Sequence, residues 1–232
     1  MPQREPKGLQ RPLILLGPPG AGKGTQAKQV AQLYGVAHLS TGDMPRDYAT
    51  RGTELGRRIQ AIMNRGELIP DDVVVAMIEN RIGEPDCAHG FILDGFPRNV
   101  AQAQVLDAML GRKGWPEPVV INLRMDESRI LRRLTGRRVC KVGGEIYNIY
   151  DYPPKSPGRC DRDGGELVQR DDDREEVIRK RMAAYRELTQ PVAEHYRERS
   201  FFEEVDGLGC PESVTRDVLA AIEREENGVR HL

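Results

Sequence analysis

Behind the apolar run Leu13-Ile14-Leu15-Leu16 comes Gly17-Pro18-Pro19-Gly20-Ala21-Gly22-Lys23-Gly24-Thr25, and few folds can use such a sequence. The apolar run reads as a strand, the glycine-rich stretch as a phosphate-cradling loop, and the residues from Lys23 onward as the start of a helix. Glycines let the loop backbone turn successive N–H groups inward at phosphate oxygens, and the positive end of the next helix adds to that field. Lys23 supplies a full positive charge for the outer phosphates. The spacing is G-x-x-x-x-G-K, but Gly24 follows the lysine and the hydroxyl residue, Thr25, comes one position later.

Short apolar runs rich in β-formers recur at Pro12–Leu16, Val36–Leu39, Phe91–Leu93, Val119–Leu123 and Phe201–Val205, with stretches of helical spacing between them. That alternation predicts an α/β fold in which parallel strands are joined by helices. One helix is expected over Lys23–Tyr34, ending before Gly35, which suits a C-cap. A second is announced by Pro70-Asp71-Asp72, where a carboxylate can cap a helix over Val73–Ile82. Ile178, Met182, Tyr185, Val192 and Tyr196 recur at steps of three, four or seven, the buried stripe of a helical region interrupted near Pro191.

At 232 residues the chain can bury one sizeable core carrying small inserts. A net charge of −1 with 31% charged residues excludes attraction to polyanions by bulk charge, so phosphate must be met by locally placed arginines and no nucleic-acid partner is expected. No apolar run approaches the roughly 18 residues of a membrane span, and Met1–Gln10 is polar and proline-containing, without the apolar core of a signal peptide. The expectation is a cytoplasmic protein with no membrane partner. Cys87, Cys140, Cys160 and Cys210 are too few and too scattered for a disulfide scaffold.

Two segments break the alternation: Ser40–Ile69, a mostly helical excursion, and Gly136–Asp173, crowded with Gly, Pro, Asp and Tyr, which suits short antiparallel strands. The third apolar run ends in Asp94-Gly95-Phe96-Pro97-Arg98. In an open parallel sheet the carboxyl ends of strands face the ligand crevice, which places Asp94 beside the phosphate loop. A carboxylate there can hold Mg²⁺ through the ion's hydration shell, and Arg98 brings a guanidinium fork to the same crevice.

Taken in order, Gly17 to Thr25, Ser40-Thr41-Gly42-Asp43-Met44, Asp94-Gly95-Phe96-Pro97-Arg98 and Gly136-Arg137-Arg138 resemble the adenylate kinases of the long-lid form, within the nucleoside-monophosphate kinase family, from Arg11 to about Ala221. The resemblance implies a P-loop NTPase fold, a five-stranded parallel sheet flanked by helices, in a core over 11–224. Two small inserts interrupt it: a helical AMP-binding insert over 40–69 and a β-rich lid over 136–173 that closes on ATP. A disordered tail over 1–10 precedes the core, and a polar tail over 225–232 comes after it. The implied reaction is reversible, Mg²⁺-dependent transfer of the ATP γ-phosphoryl to AMP, giving two ADP, in a monomer that keeps adenine nucleotides in balance.

By matched position, Gly20, Ala21, Gly22, Lys23, Gly24 and Thr25 resemble the ATP phosphate loop, with Lys23 spanning the transferred group. Thr41, Arg46, Gly95, Phe96, Pro97, Arg98 and Gln102, with Glu67, Leu68 and Ile69, resemble the AMP site. Arg133 and Arg137 resemble the arginines of the ATP side, and Arg170 and Arg181 those that bridge to AMP or the moving phosphoryl. Ile146 and Tyr147 resemble the lid contact with adenine, and Asp206-Gly207-Leu208-Gly209 the loop against the ATP base. Lys23, Asp94, Arg98, Arg133, Arg137, Arg170 and Arg181 form the implied catalytic set. Phosphoryl transfer passes through a loose transition state with charge on the equatorial oxygens. Arginine suits it, because its planar fork matches phosphate and keeps its proton. Arg132, Arg138 and Arg179 read instead as solvated helix charges.

Gln102 can present an amide, donor and acceptor together, to one edge of adenine, which favours AMP as acceptor. Asn99 stands where adenylate kinases commonly have Thr and is similar to the residue of pyrimidine-monophosphate kinases, so UMP or CMP is the alternative acceptor; main-chain groups do the reading in the loop that resembles the ATP-base contact, which leaves GTP as the alternative donor. The long lid favours adenylate kinase. Zinc-binding lids of this family present C-x2-C, sixteen residues, then C-x2-C or C-x2-D, whereas this chain has Cys140, Gly143, Cys160 and Asp163, one ligand short. Two readings stay open: a structural zinc on Cys140, Cys160 and Asp163, or a vestigial site with reduced thiols. A function of another class, a zinc-ribbon nucleic-acid-binding module with a nucleotide switch, is opposed by the near-neutral charge and 5% aromatic content. His38, His89, His195 and His231 show no metal spacing.

Overall fold

Every residue of strand β1 (Leu13–Leu16) is buried, as in a strand whose sheet carries helices on both faces. Successive side chains point to opposite sides: Ile14 and Leu16 pack with Leu39, Phe91 and Leu93, while Leu13 and Leu15 pack with Ile92, Ile121 and Leu123. In chain order the other elements are α1 (Lys23–Tyr34), β2 (Ala37–Ser40), α2 (Met44–Thr50), α3 (Glu54–Asn64), α4 (Asp71–Arg81), β3 (Phe91–Asp94), α5 (Val100–Arg112), β4 (Val119–Arg124) and α6 (Glu127–Thr135). Then come β5 (Arg137–Cys140), β6 (Ile146–Asn148), β7 (Leu167–Val168), α7 (Glu175–Ala184), α8 (Gln190–Arg197), β8 (Phe202–Asp206) and α9 (Pro211–Glu226). The computed structural model describes residues 7–65, 69–199 and 201–226.

The five apolar runs form one parallel sheet in the order β2-β3-β1-β4-β8. With helices between successive strands, this is the expected α/β, P-loop NTPase architecture. Strand β1 lies in the middle, and the loop after it opens at the carboxyl ends of its neighbours β3 and β4, the usual position of a ligand crevice. Outside the sheet, α2 and α3 occupy the first excursion, and β6-β5-β7 form an antiparallel sheet in the second, which fits a lid. Helix α1 ends as expected, with Gly35 at φ 68 donating its N–H to Ala31, a left-handed conformation glycine takes without steric cost.

Three local expectations are corrected. Helix α4 starts at Asp71, after Pro70 in extended conformation, and no side chain caps it; Asp71 bonds instead to Asn99 and Gln102, and Asp72 to Arg58. In the expected N-terminal tail, Gly8 donates to the Tyr34 carbonyl, Leu9 donates to that of His89, and the Leu9 side chain is buried with Leu13 and Val36, an apolar gain that holds this stretch. Residues 1–6 and 227–232 of the expected tails lie outside the described residues. The helical region near Pro191 is interrupted by a π turn over Tyr185–Thr189, with Pro191 at the start of α8. Proline has no N–H to return to the preceding turn, and the widened turn takes up the mismatch. Tyr185 is left half-buried, unlike Ile178, Met182, Val192 and Tyr196.

Candidate active site

The loop between β1 and α1 is shaped by how close the backbone comes to its neighbours. A Cβ on Gly17, at φ 138, would lie 2.5 Å from the Leu123 carbonyl oxygen, so no other residue fits there. Gly20, at φ 82, lies against Leu134, and Gly22, at φ 97, is the N-cap of α1. Lys23 opens that helix, with its Nζ donating to the carbonyls of Gly17 (2.8 Å) and Pro18 (3.0 Å). Its ammonium pKa is pulled from 10.5 to about 8, chiefly by desolvation, with Asp94 opposing the shift and Arg181, Arg98 and Arg137 adding to it. Three positive charges and one negative charge thus act on Lys23, and an arriving phosphate would relieve the excess of positive charge.

Space is tight at the position after the lysine. A Cβ at Gly24 would stand 3.2 Å from Asp94 Oδ2, tighter than ordinary contact. Glycine leaves that space to the carboxylate, and half-buried Thr25 comes next. Asp94 ends β3 beside β1, and its Oδ2 lies 3.3 Å from His38 Nε2. The histidines show no metal spacing, so the sequence pointed to no role for His38, and its partner is 56 positions away.

The arginines approach from the lid side. Arg133 Nη1 donates to the Gly207 carbonyl (3.0 Å), tying α6 to the loop 206–209, where Leu208 N–H donates to Asp206 Oδ1 and Gly209 lies against Ser213 and Val214. Arg137 grips Asp173 with two bonds of 2.7 and 2.6 Å, and Asp173 has no exposed surface. Arg181 donates to the Asp172 carbonyl (3.0 Å) and lies 3.0 Å from its Oδ2, while Arg170 holds the same carboxylate at 2.9 and 3.1 Å. Desolvation lowers the guanidinium pKa of Arg133, of Arg181 and of the more exposed Arg98, so each gains by meeting an anion. Sequence reasoning missed Asp172 and Asp173 as counter-ions. The run Asp171-Asp172-Asp173 lies 36 positions from Arg137, and nothing in local spacing connects them.

On the other side of the loop, Arg98 Nε donates to the Gly95 carbonyl (2.8 Å) and its Nη2 to Thr41 Oγ1 (3.1 Å), and Thr41 donates to the same carbonyl (2.8 Å). Phe96 is buried, and the Phe96–Pro97 peptide bond is cis. The amide of Gln102 is engaged at both ends. Its Oε1 accepts the Arg98 N–H and its Nε2 donates to Asp71 Oδ1, each at 2.7 Å. Asn99 is the N-cap of α5: its side chain accepts the Gln102 N–H (2.8 Å) and donates to Asp71 Oδ2 (2.7 Å). Threonine also caps helices, so capping accounts for Asn99 without reference to a pyrimidine acceptor. Arg46 is exposed in the first turn of α2, where Pro45 is accommodated. Ile69 packs half-buried against the core, while Glu67 and Leu68 lie outside the described residues.

In the lid, alternation along β6 separates two residues that the sequence grouped. Ile146 is exposed, whereas Tyr147 turns inward, its hydroxyl accepting the Asp161 N–H (2.8 Å) and lying 3.5 Å from Cys160 Sγ. Cys140 Sγ lies 3.2 Å from Asp163 Oδ1. Cys87 is buried and Cys210 exposed, both outside this cluster.

A family model described as adenylate kinase matches residues 15–201. The curated adenylate kinase of Thermodesulfovibrio yellowstonii is 47% identical over 92% of this chain and 99% of its own length. That of Archaeoglobus fulgidus is 46% identical over 91% and 98%. That of Anaeromyxobacter sp. Fw109-5 is 50% identical over 90% and 99%.

Proposed function

Since the chain belongs to the adenylate kinase family and is a phosphotransferase of that kind, we propose that its crevice works as two half-sites meeting at Lys23. On the donor side, the backbone N–H groups of Gly20–Thr25 cradle the ATP phosphates, and Arg133, Arg137, Arg170 and Arg181 neutralise them from the lid side. On the acceptor side, Arg98, Thr41 and Arg46 hold the phosphate of AMP, and Gln102 keeps one N–H and one lone pair for the base. Asp94 would hold Mg²⁺ through the ion's water shell, and the bound ion would supply further neutralisation of charge on the phosphates.

An oxygen of the AMP phosphate forms the new bond to the γ-phosphorus while the bond to the β-phosphate oxygen breaks, so two ADP leave and no enzyme nucleophile is needed. The protein's part is alignment and charge neutralisation. The excursions 40–69 and 136–173 serve as covers that keep water from the γ-phosphate before AMP arrives. The glycine loop around Lys23, with the Asp94 carboxylate against Gly24 and the Arg133 guanidinium against Gly22, carries this reading, and the charges of Arg98, Arg137 and Arg181 acting on Lys23 agree with it. A monomer acting in the cytoplasm without a nucleic-acid partner is part of the same proposal; among the described residues no helix is long and apolar enough to cross a membrane.

Incubation with Mg·ATP and AMP, GMP, CMP or UMP tests it. The expected result is rapid ADP formation with AMP alone. A preference for UMP or CMP would overturn the acceptor assignment and return Asn99 to a role in base selection.

A further inference from the structure

Cys140 and Cys160 open two copies of one backbone device. Cys140 N–H donates to the Glu145 carbonyl (2.9 Å) and its own carbonyl accepts from Gly144 (3.0 Å); Cys160 N–H donates to Gly165 (2.8 Å) and its carbonyl accepts from Gly164 (2.9 Å). The third residue after each cysteine should supply the second ligand of its knuckle. That residue is Asp163 in one copy and Gly143, which has no side chain, in the other.

The place of the missing side chain is taken. A Cβ built on Gly143 would fall 2.1 Å from Glu145 Oε2 and 2.6 Å from Asp163 Oδ2, so the Glu145 carboxylate occupies the space where a ligand at 143 would begin. Its Oε1 pairs with Arg162, but Oε2 is buried and has no hydrogen-bond partner. A carboxylate oxygen in that condition is costly unless a cation meets it. Ligand atoms of Cys140, Glu145, Cys160 and Asp163 all lie within 4.8 Å of one another. In a tetrahedral zinc site with bonds of about 2.0–2.3 Å, ligand atoms stand about 3.3–3.8 Å apart, so a small contraction closes the set.

We propose that Glu145 is the fourth ligand of a divalent-metal site in the lid, made by Cys140, Glu145, Cys160 and Asp163. Two thiolates with two carboxylates suit a borderline ion such as Zn²⁺, and four protein ligands leave no open position, which makes the site structural. Arg162, on the outer oxygen of Glu145, orients the carboxylate as an outer-shell partner does.

Cobalt titration of the reduced, metal-free full chain reads this directly. The wild type takes up one Co²⁺, with thiolate-to-cobalt charge-transfer and tetrahedral d–d bands, and Zn²⁺ displaces it. Glu145→Ala weakens uptake on the order of a hundredfold or more, since loss of outer-shell partners alone costs about 10–100-fold. Adding Gly143→Cys to that variant restores affinity and, with a third thiolate, raises the charge-transfer absorbance by about half, in proportion to the thiolate ligands. A wild type that binds neither Co²⁺ nor Zn²⁺ overturns the site. Unchanged affinity in a Glu145→Ala chain that keeps its far-UV circular dichroism overturns the assignment of Glu145.

Discussion

The main sheet and the lid are stabilised in opposite ways. Phe91, Ile92 and Leu93 in β3 have no exposed surface and pack on both faces, whereas the apolar cluster of the lid consists of Cys140, Cys160 and Leu167, with Tyr147 packed against them, while Val142, Ile146, Ile149, Tyr150 and Tyr152 are exposed. Apolar burial can hold the first. The second is too small for that and relies on hydrogen bonds, ion pairs and the Cys140–Asp163 cluster. The contrast suits the proposed chemistry: the loop before α1 stands on the part that cannot yield, and Arg137 and Arg170 on the part held by polar bonds, which phosphates could replace.

Truncation in the two regions tests that contrast most strongly. Leu93→Ala should cost about 2–5 kcal/mol of global stability by denaturant unfolding. Leu167→Ala should cost less than about 1 kcal/mol globally yet speed proteolysis within the lid, as expected for a region that opens locally. Equal losses would show that lid and core unfold as one unit.

Next in size is Asp173→Asn, which removes the charge that positions Arg137 and faces Arg181. A fall of about ten- to a hundredfold in kcat/KM is expected, because slight misplacement of a positioning group is that costly, with little change in the unfolding of the core. A global loss of stability with intact kcat/KM would make the pair a structural strut.

The smallest effect is graded by pH. Phosphate favours charged Lys23, so its pKa rises from about 8 on binding. ATP affinity should therefore be level below pH 8 and fall by up to tenfold per unit above it, with proton uptake visible by calorimetry. In the unfolded chain Lys23 returns toward 10.5, so fold stability should rise with pH between about 8 and 10.5. Lys23→Met should lose both slopes.

Much of the fold was legible because strands buried on both faces are written as unbroken apolar runs, and because Gly35 marks a helix end. The loop and Arg98 were legible by motif. What escaped the sequence was pairing between distant residues: His38 with Asp94, Arg137 with Asp173, and Asp71 with Asn99 and Gln102. Asn99 read as a mark of the acceptor base and turned out to be a helix cap. Glu145 was hidden because ligand spacing was sought at the third residue after a cysteine, where Gly143 stands.

The π turn at Tyr185–Thr189 joins α7, which carries Arg181, to α8, which packs into the core through Val192 and Tyr196, and its Thr189 hydroxyl donates to the Arg98 carbonyl (2.8 Å). In mechanical terms, an unbroken rod over this span would transmit torque from the lid to the acceptor loop. The widened turn breaks that rod, and it is tied at two points, to the loop after β3 through Thr189 and to α6 through the ion pair of Arg186 with Glu127.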